Sequence, residues 1–323
     1  MASFSALRPF LKWAGGKRQL LPVLRGFYPG RFDRYWEPFL GSAAVFFDLR
    51  ARGLLDGRAA VLADTNPDLI ACYSAVRDEP EDVIHELGVL AAAHAASGAE
   101  HYYDVRDKRF NPARRRAAGY TPALAAMFIY LNRTGYNGLF RLNRDGAFNV
   151  PAGRYANPRI CDPDHVRSVA AAFAERGVTI ECTPFEEMLA DAGAGDFVYC
   201  DPPYAPLSRT ASFAHYTAGG FSAFDQRRLQ QAVIAACRRG AKVLLSNSSA
   251  PEIVELYSAP AARKAGLRLT LVPARRAINS RASGRGPVHE VVVTNVRPQP
   301  ALAIPGKLRM ARASARAARV QTA

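Results

Sequence analysis

No C-x-x-C pair occurs in the 323 residues, and the five cysteines, Cys72, Cys161, Cys182, Cys200 and Cys237, are odd in number and scattered. This spacing argues against a zinc site or a disulfide framework, so reduced thiols in a cytosolic setting and no metal are expected. Hydrophobic residues make up 49% of the chain, yet no run of about 18 uninterrupted apolar residues is present, so no membrane partner is expected. Met1 to Pro9 lack the basic-then-apolar order of a secretion signal, which fits a soluble, intracellular chain. Internal repeats are absent. Acidic residues are in deficit, 28 against 43 Lys and Arg, for a formal charge of +15. That balance favours a polyanionic partner, because each neutralised phosphate releases condensed counterions. Charge alone leaves ribosomal and membrane-surface proteins as alternatives.

The length suits one large α/β domain with a smaller one inserted. A short strand from Tyr35 runs into Glu37-Pro38-Phe39-Leu40-Gly41-Ser42-Ala43-Ala44, and Val45 to Leu49 read as a helix. A second apolar strand, Ala59 to Ala63, ends on Asp64, and Thr65-Asn66-Pro67 signals the start of a helix over Asp68 to Arg77. Strand alternating with helix predicts a parallel sheet with helical crossovers. Further strands, Asp196 to Cys200 and Ala241 to Ser246, end on Asp201 and Asn247. Each strand thus delivers a polar residue to the edge where open α/β sheets bind ligands. Residues 1–67 and 163–296 are read as this domain and 68–162 as the insertion. Residues 297–323, rich in Arg, Ala and Pro without a carboxylate, are read as a disordered basic tail.

Asp201-Pro202-Pro203-Tyr204 carries the most chemistry. An exocyclic base amine is a poor nucleophile because its lone pair is delocalised into the ring. A carboxylate at Asp201 and a carbonyl at Pro202 can accept its two hydrogens and aim that lone pair at a methyl donor. The two prolines hold the carbonyl, since each fixes its own φ and restricts the residue before it. Tyr204 offers a flat face to a base extruded from the duplex. Such catalysis is orientation and pre-organised electrostatics, with no covalent intermediate. The plain alternative is a proline turn capped by aspartate.

Small residues at Gly41, Ser42, Ala43 and Ala44 let backbone approach a ligand, although an ordinary strand-to-helix turn has the same look. Asp64 stands about 20 residues beyond that loop, the spacing at which an acidic group meets ribose hydroxyls. Phe10 to Lys17 place Trp13, Lys12 and Lys17 around a Gly-Gly turn that lacks P-loop spacing. Lys17 can reach a carboxylate and Trp13 can cover an adenosyl group; a surface turn is the alternative. Asn132 to Tyr155 mix Arg, Asn, aromatics and glycine, the side chains that read base edges, wedge between bases and grip phosphates, or else form a polar surface loop. Asp145-Gly146 predicts a hairpin there.

With these pieces in order, the chain resembles the Dam-type DNA adenine-N6 methyltransferases of the D12 class. The likeness runs through Phe10 to Lys17, Glu37 to Phe47, Leu62 to Leu69, Leu131 to Tyr155, Val198 to Ser208 and Glu290 to Asn295. It implies an α/β fold, a Rossmann-like S-adenosylmethionine-dependent methyltransferase domain with an inserted helical and β-hairpin target-recognition domain. It implies S-adenosyl-L-methionine as cofactor, contacted by Trp13, Lys17, Asp64 and Asp201, with Glu37, Pro38, Phe39 and Gly41 lining the same pocket. Lys12, Tyr136, Asn137, Leu139, Arg141, Asn143, Pro151, Arg154 and Tyr155 match positions that the family uses on DNA. Lys12, Leu139, Arg141 and Pro151 match members that modify GATC.

The expectation is therefore a cytoplasmic, nucleoid-associated monomer that methylates adenine N6 in double-stranded DNA. Cytosine-N4 methylation is the nearest alternative; those enzymes resemble S-P-P-Y at the loop, so Asp201 favours adenine. Adenine methylation at another sequence and a silent DNA-binding protein are the others. Arg114-Arg115-Arg116, Ser283-Gly284-Arg285-Gly286 and the basic tail depart from the family and read as solvated loops or as extra phosphate grip. Pro206 to Phe221 are read as a segment that closes over the base.

Overall fold

A computed structural model describes residues 7–13, 15–116, 119–205, 221–275, 287–298 and 309–310. Its centre is one eight-stranded sheet: β1 (Arg34–Glu37), β2 (Ala59–Ala63), β3 (Val178–Glu181), β4 (Asp196–Cys200), β5 (Lys242–Ser248), β6 (Arg268–Arg275), β7 (Pro287–Thr294) and β8 (Arg309–Met310). The order is β3-β2-β1-β4-β5-β7-β6-β8. The first five strands in that order are parallel, and β7 pairs antiparallel with both β5 and β6. The chain winds outward from β1 to β3 and returns to β4, so the crossovers part between β1 and β4. At such a switch point the carboxyl ends of parallel strands leave a crevice.

The strands bury because successive side chains face opposite sides of the sheet. Phe197 and Tyr199 of β4 enter one apolar cluster with Tyr35, Phe46, Phe47 and Leu244. Val198 and Cys200 enter the other with Trp36, Val243 and Leu245. The helices that cover these faces are α1 (Leu21–Leu24), α2 (Ala44–Ala51), α3 (Pro67–Asp78), α4 (Pro80–Asp104), α5 (Asn111–Arg116), α6 (Pro122–Thr134), α7 (Pro163–Phe173), α8 (Phe185–Ala190), α9 (Ala223–Arg238), α10 (Pro251–Ser258) and α11 (Pro260–Lys264). Asn66 caps α3 by accepting from Asp68 N at 3.1 Å and Leu69 N at 3.4 Å, with Pro67 in the first turn. That is the start signal legible in Thr65-Asn66-Pro67.

Between β2 and β3 the chain forms helices α3 to α6, a largely irregular stretch over 135–161, and then α7. Within 135–161 only the isolated pairings Gly135 with Ala152 and Leu142 with Phe148 form. The expected hairpin at Asp145-Gly146 is this short turn, closed by Asn143 N to Ala147 O at 2.8 Å and Asn149 N to Arg141 O at 3.1 Å. The insertion shares its core with the sheet: Val83, Leu87, Phe128, Phe140 and Phe148 lie in one cluster with Tyr35 and Phe46. Phe173 of α7 stacks on Phe46 at 5.6 Å and meets Tyr73 of α3 at 5.1 Å.

Strand β5 runs two residues past the expected end at Ser246, because Asn247 and Ser248 pair with Val291 and Glu290 of β7. Asn247 therefore lies inside a strand. Residues 206–220, the segment 283–286 and all of the tail except 297–298 and 309–310 lie outside the described residues.

Candidate active site

The ends of β1, β2 and β4 meet at the crevice. Glu37 closes β1 and is 2% exposed, so its carboxyl has left water. Helix α2 begins at a left-handed Ala43 with no side-chain cap. Glu37 takes that part: Oε2 accepts Phe46 N at 3.1 Å and the Tyr35 hydroxyl at 2.8 Å. Burial pushes the Glu37 carboxyl up to about 8, against those two hydrogen bonds and with help from nearby Asp201. It is thus protonated at neutral pH. The folded chain keeps this proton to about pH 8, whereas an unperturbed carboxyl releases it near 4.5. Folding therefore binds a proton in that window, and the contribution of Glu37 to stability falls as pH rises through it. In denaturant titrations between pH 5 and 8, Glu37→Gln should lack that share of the decline; an unchanged slope would contradict the assignment.

Asp64 follows β2 and knits the small-residue loop to it. Its Oδ2 accepts Gly41 N at 3.0 Å and its Oδ1 accepts Asn66 N at 2.9 Å. Leu40 N bonds to Ala63 O at 2.8 Å, and the Tyr73 hydroxyl donates to Gly41 O at 2.6 Å. Burial pushes the Asp64 carboxyl up, and the backbone donors Gly41, Asn66 and Thr65 pull it down. Gly41 has φ +46, and a Cβ there would lie 3.0 Å from Trp13 Cδ1. Gly41→Ala should cost about 1 to 2 kcal/mol for the left-handed backbone and displace Trp13, measurable as weaker cofactor binding in a calorimetric titration.

Asp201 follows β4. Its Oδ1 pairs with Lys17 Nζ at 2.8 Å and accepts the Ser246 hydroxyl at 3.0 Å. Burial pushes this carboxyl up, Lys17 and Ser246 pull it down, and Glu290 pushes it up again. Lys17 is 6% exposed and its Nζ also stands 4.4 Å from the centre of the Tyr204 ring. The Tyr204 hydroxyl donates to Glu290 Oε2 at 2.8 Å, which fixes the ring plane. Behind the loop, Gln226 Nε2 donates to the Pro203 carbonyl at 3.0 Å, and Asn247 Nδ2 donates to Gln226 Oε1 at 3.0 Å. Ser248 Oγ donates to Ala205 O at 2.7 Å. The loop is braced on both sides of Tyr204.

Trp13 and Lys17 reach the crevice from the N-terminal segment, and Trp13 stacks on Phe140 of the insertion with centroids 6.2 Å apart. Pro38 is buried beneath the loop. Phe39 points to the other side of the crevice, stacking on Phe185 at 5.4 Å and meeting Phe221 edge-on at 5.7 Å.

The residues matched to DNA positions form a neighbouring surface. Lys12 Nζ stands 3.8 Å over the Tyr155 ring, and Tyr136 N bonds to Pro151 O at 2.9 Å. Tyr136 and Tyr155 are 49% and 37% exposed, high for aromatic rings and sufficient to meet a partner. Asn137 adopts φ 54, Leu139 is half-buried, and Arg141, Pro151 and Arg154 are exposed. Arg141 Nε rests on Asn149 Oδ1 at 2.8 Å. Asn143 is committed to its own loop, where its Oδ1 accepts Asp145 N at 3.0 Å and Ala147 N at 2.8 Å and so closes the turn.

Arg114 is neither a solvated loop residue nor a free cation. It forms a two-pronged pair with Asp68, both contacts at 2.6 Å, and donates to Gly146 O at 2.7 Å. Arg114→Ala would leave Asp68, which is 6% exposed, without its cation, costing about 3 kcal/mol. The salt dependence of DNA binding should keep its slope, because no phosphate contact is lost; a slope reduced by about one would mark Arg114 as a phosphate ligand.

A family model described as D12 class N6 adenine-specific DNA methyltransferase matches residues 13–268. The chain belongs to this family. It is 37% identical over 289 residues to a Type II methyltransferase of Lactococcus lactis subsp. cremoris, covering 90% of this chain and 95% of that one. It is 37% identical over 286 residues to the DNA adenine methylase of Vibrio cholerae, covering 88% and 95%. The DNA adenine methylase of Escherichia coli strain K12 is 34% identical over 290 residues, covering 88% and 94%. Among solved structures, a precorrin-6y C5,15-methyltransferase of Geobacter metallireducens aligns over 90% of the chain with a TM-score of 0.35 and 12% identity, too loose to carry an argument.

As a D12 enzyme, the chain is an S-adenosylmethionine-dependent, adenine-specific DNA methyltransferase with a mixed α/β, Rossmann-like fold. Among the described residues, no helix is long and apolar enough to cross a membrane. Tyr199, Gln226, Ser246 and Glu290 also stand at the crevice, although no motif in the sequence singles them out. Glu290 carried a signal, being the one carboxylate in the Val-rich stretch 287–294. Ser246 carried a weaker one, as a hydroxyl at the end of an apolar strand.

Proposed function

We propose that this enzyme methylates N6 of an adenine flipped out of double-stranded DNA, within GATC, by direct in-line attack and without a covalent enzyme intermediate. The observation that carries the reading is the state of Asp201: Lys17 and Ser246 engage one oxygen, and the other, with no hydrogen-bond partner among the described residues, is the acceptor proposed for an amine hydrogen. Gln226 takes the Pro203 carbonyl and so braces the peptide between Pro203 and Tyr204; the Pro202 carbonyl, held between two prolines, is assigned to the second hydrogen. Lys17 lies against the Tyr204 ring, and a base stacks on the ring's opposite face.

S-adenosylmethionine supplies the electrophilic methyl group when bound. The residues at the crevice suit it. Asp64 presents an oriented carboxylate for ribose hydroxyls, the left-handed Gly41 opens backbone to a close approach, Lys17 attracts a carboxylate and Trp13 covers the adenosyl group. Glu37, Pro38 and Phe39 build the wall.

Residues 68–162 form the target-recognition insertion in this reading. Tyr136 and Asn137 fill or brace the gap left by the base, Leu139 and Arg141 read neighbouring base pairs, and Lys12, Pro151, Arg154 and Tyr155 position the duplex. The GATC assignment rests on Lys12, Leu139, Arg141 and Pro151, which match GATC-modifying members. Arg141→Ala should lose about 1 to 3 kcal/mol of discrimination at one flanking base pair, measured as the ratio of kcat/KM between cognate and singly altered duplexes. Base-resolved mapping after expression in a methylation-deficient bacterium tests the target: marks on the adenine of GATC are expected, and marks spread over other sequences contradict it.

A further inference from the structure

We propose that Ser246 is a positioning residue for methyl transfer: its hydroxyl, oriented by Tyr199, ties down one oxygen of Asp201 so that the other faces the adenine amine. The inference rests on the reading that Asp201 accepts an amine hydrogen.

Ser246 is fully buried in β5, beside the end of β4, where Cys200 pairs with Leu245. Its Oγ lies 3.0 Å from Asp201 Oδ1 and 2.9 Å from the Tyr199 hydroxyl. When Asp201 is ionised, as the proposed reaction requires, its carboxylate only accepts, and the single Ser246 proton points at it. The Tyr199 proton then points at Ser246. The order of donation is Tyr199 to Ser246 to Asp201, a directed chain in which each bond polarises the next. Tyr199 is 1% exposed and packed in the sheet core, so its hydroxyl cannot turn to water.

Lys17 holds the same Oδ1 at 2.8 Å. A single long side chain leaves the carboxylate free to swivel about that contact. Two donors from different elements fix its plane. Their second effect is electrostatic. Asp201 faces Lys17 from the N-terminal segment, Ser246 from β5, Glu290 from β7, Tyr199 from its own strand, Tyr204 from its own loop and Glu37 from the end of β1. Burial and Glu290 favour its neutral form, while Lys17 and Ser246 favour the charged one. Loss of Ser246 therefore raises the pH at which Asp201 ionises.

Single-turnover rates of methyl transfer, measured from pH 5.5 to 9 on a GATC duplex, test the proposal. Ser246→Ala should lower the plateau rate about ten- to a hundredfold, the worth of a hydrogen bond to a charged group, and displace the acidic limb upward. Dissociation constants for S-adenosylmethionine and DNA should stay within about twofold. Ser246→Thr, which keeps the hydroxyl, should recover most of the rate and the original limb, and Tyr199→Phe should show a smaller loss in the same direction. A purely structural role would lower the active fraction without moving the limb. An unmoved limb in Ser246→Ala overturns the proposal, and should that variant fail to fold, an unmoved limb in Tyr199→Phe does so. Wild-type rate in Asp201→Ala would instead overturn the underlying reading of Asp201.

Discussion

Asp201→Ala is expected to lower the single-turnover rate of methyl transfer by about three orders of magnitude, the upper end of what one pre-organised electrostatic contact supplies. The amine lone pair is delocalised, and without an acceptor for its hydrogen the nitrogen stays planar and badly aimed. The duplex should still bind nearly as well, since Arg141, Arg154 and Lys12 stand on the insertion side. The substitution also strips Lys17, 6% exposed, of its carboxylate at 2.8 Å. An uncompensated buried charge costs about 3 kcal/mol, so a fall in stability accompanies the loss of rate. Lys17→Met combined with Asp201→Ala, assayed at saturating S-adenosylmethionine because Lys17 also stands in the proposed cofactor site and compared with Lys17→Met alone, separates the two: stability should return and the rate should not. Turnover restored in the double variant would mean that Asp201 serves the fold and not the amine.

The second large effect is expected at Asn132, which sits 4% exposed at the end of α6. Its side chain accepts Lys12 N at 2.8 Å and donates to Lys12 O at 2.7 Å and Gly138 O at 3.0 Å. One amide thus joins the segment carrying Trp13 and Lys17 to the loop carrying Tyr136 and Asn137. The junction is tight: a Cβ on Gly138 would fall 2.2 Å from Lys12 Cβ. Asn132→Ala removes the partner of two backbone groups at half-buried Lys12 and of one at buried Gly138, at roughly 4 kcal/mol in all. Calorimetry should show a clearly lower Tm, and titrations should show that affinity for S-adenosylmethionine and for DNA fall together. A variant that lost DNA affinity and kept cofactor affinity would contradict this shared support.

Much of the framework is legible in the chain itself. Strands β2 and β4 read directly, because short apolar runs end on Asp64 and Asp201, and Asn66-Pro67 punctuates α3. What the sequence conceals is which distant residues stand behind those ends. Ser246 and Glu290 reach Asp201 and Tyr204 only because β5 lies beside β4 and pairs antiparallel with β7 in one register. Hydrophobic periodicity sets which face a residue takes, not which strand lies next to it. Gln226 is hidden for another reason: it lies beyond residues 206–220, in the first turn of α9, where the Ser222/Asp225 capping box marks a helix start and not a site. Arg114 and Asn143 show the opposite limit. Arginine and asparagine serve phosphate and base contacts as readily as internal bracing, and only the neighbours Asp68, Gly146 and Ala147 distinguish the two uses.

The protonation pattern links these observations. Glu37 and Asp201 are nearby carboxyls at adjacent strand ends, and two charges in so dry a crevice would repel. Burial keeps the proton on Glu37, whose oxygen serves the N-terminus of α2. At Asp201 burial and Glu290 favour the neutral form, and Lys17 and Ser246 on one oxygen oppose them in favour of the charged one. In the proposed reaction one carboxyl thereby serves the fold and the other the amine.

Nucleoside mass spectrometry tests this assignment most directly, on a GATC duplex digested after incubation with S-adenosylmethionine and either the wild-type enzyme or Asp201→Ala. N6-methyladenine is expected as the only modified base with the wild type, and none above background with the variant. N4-methylcytosine in the first digest, or undiminished N6-methyladenine in the second, would contradict the role given to Asp201.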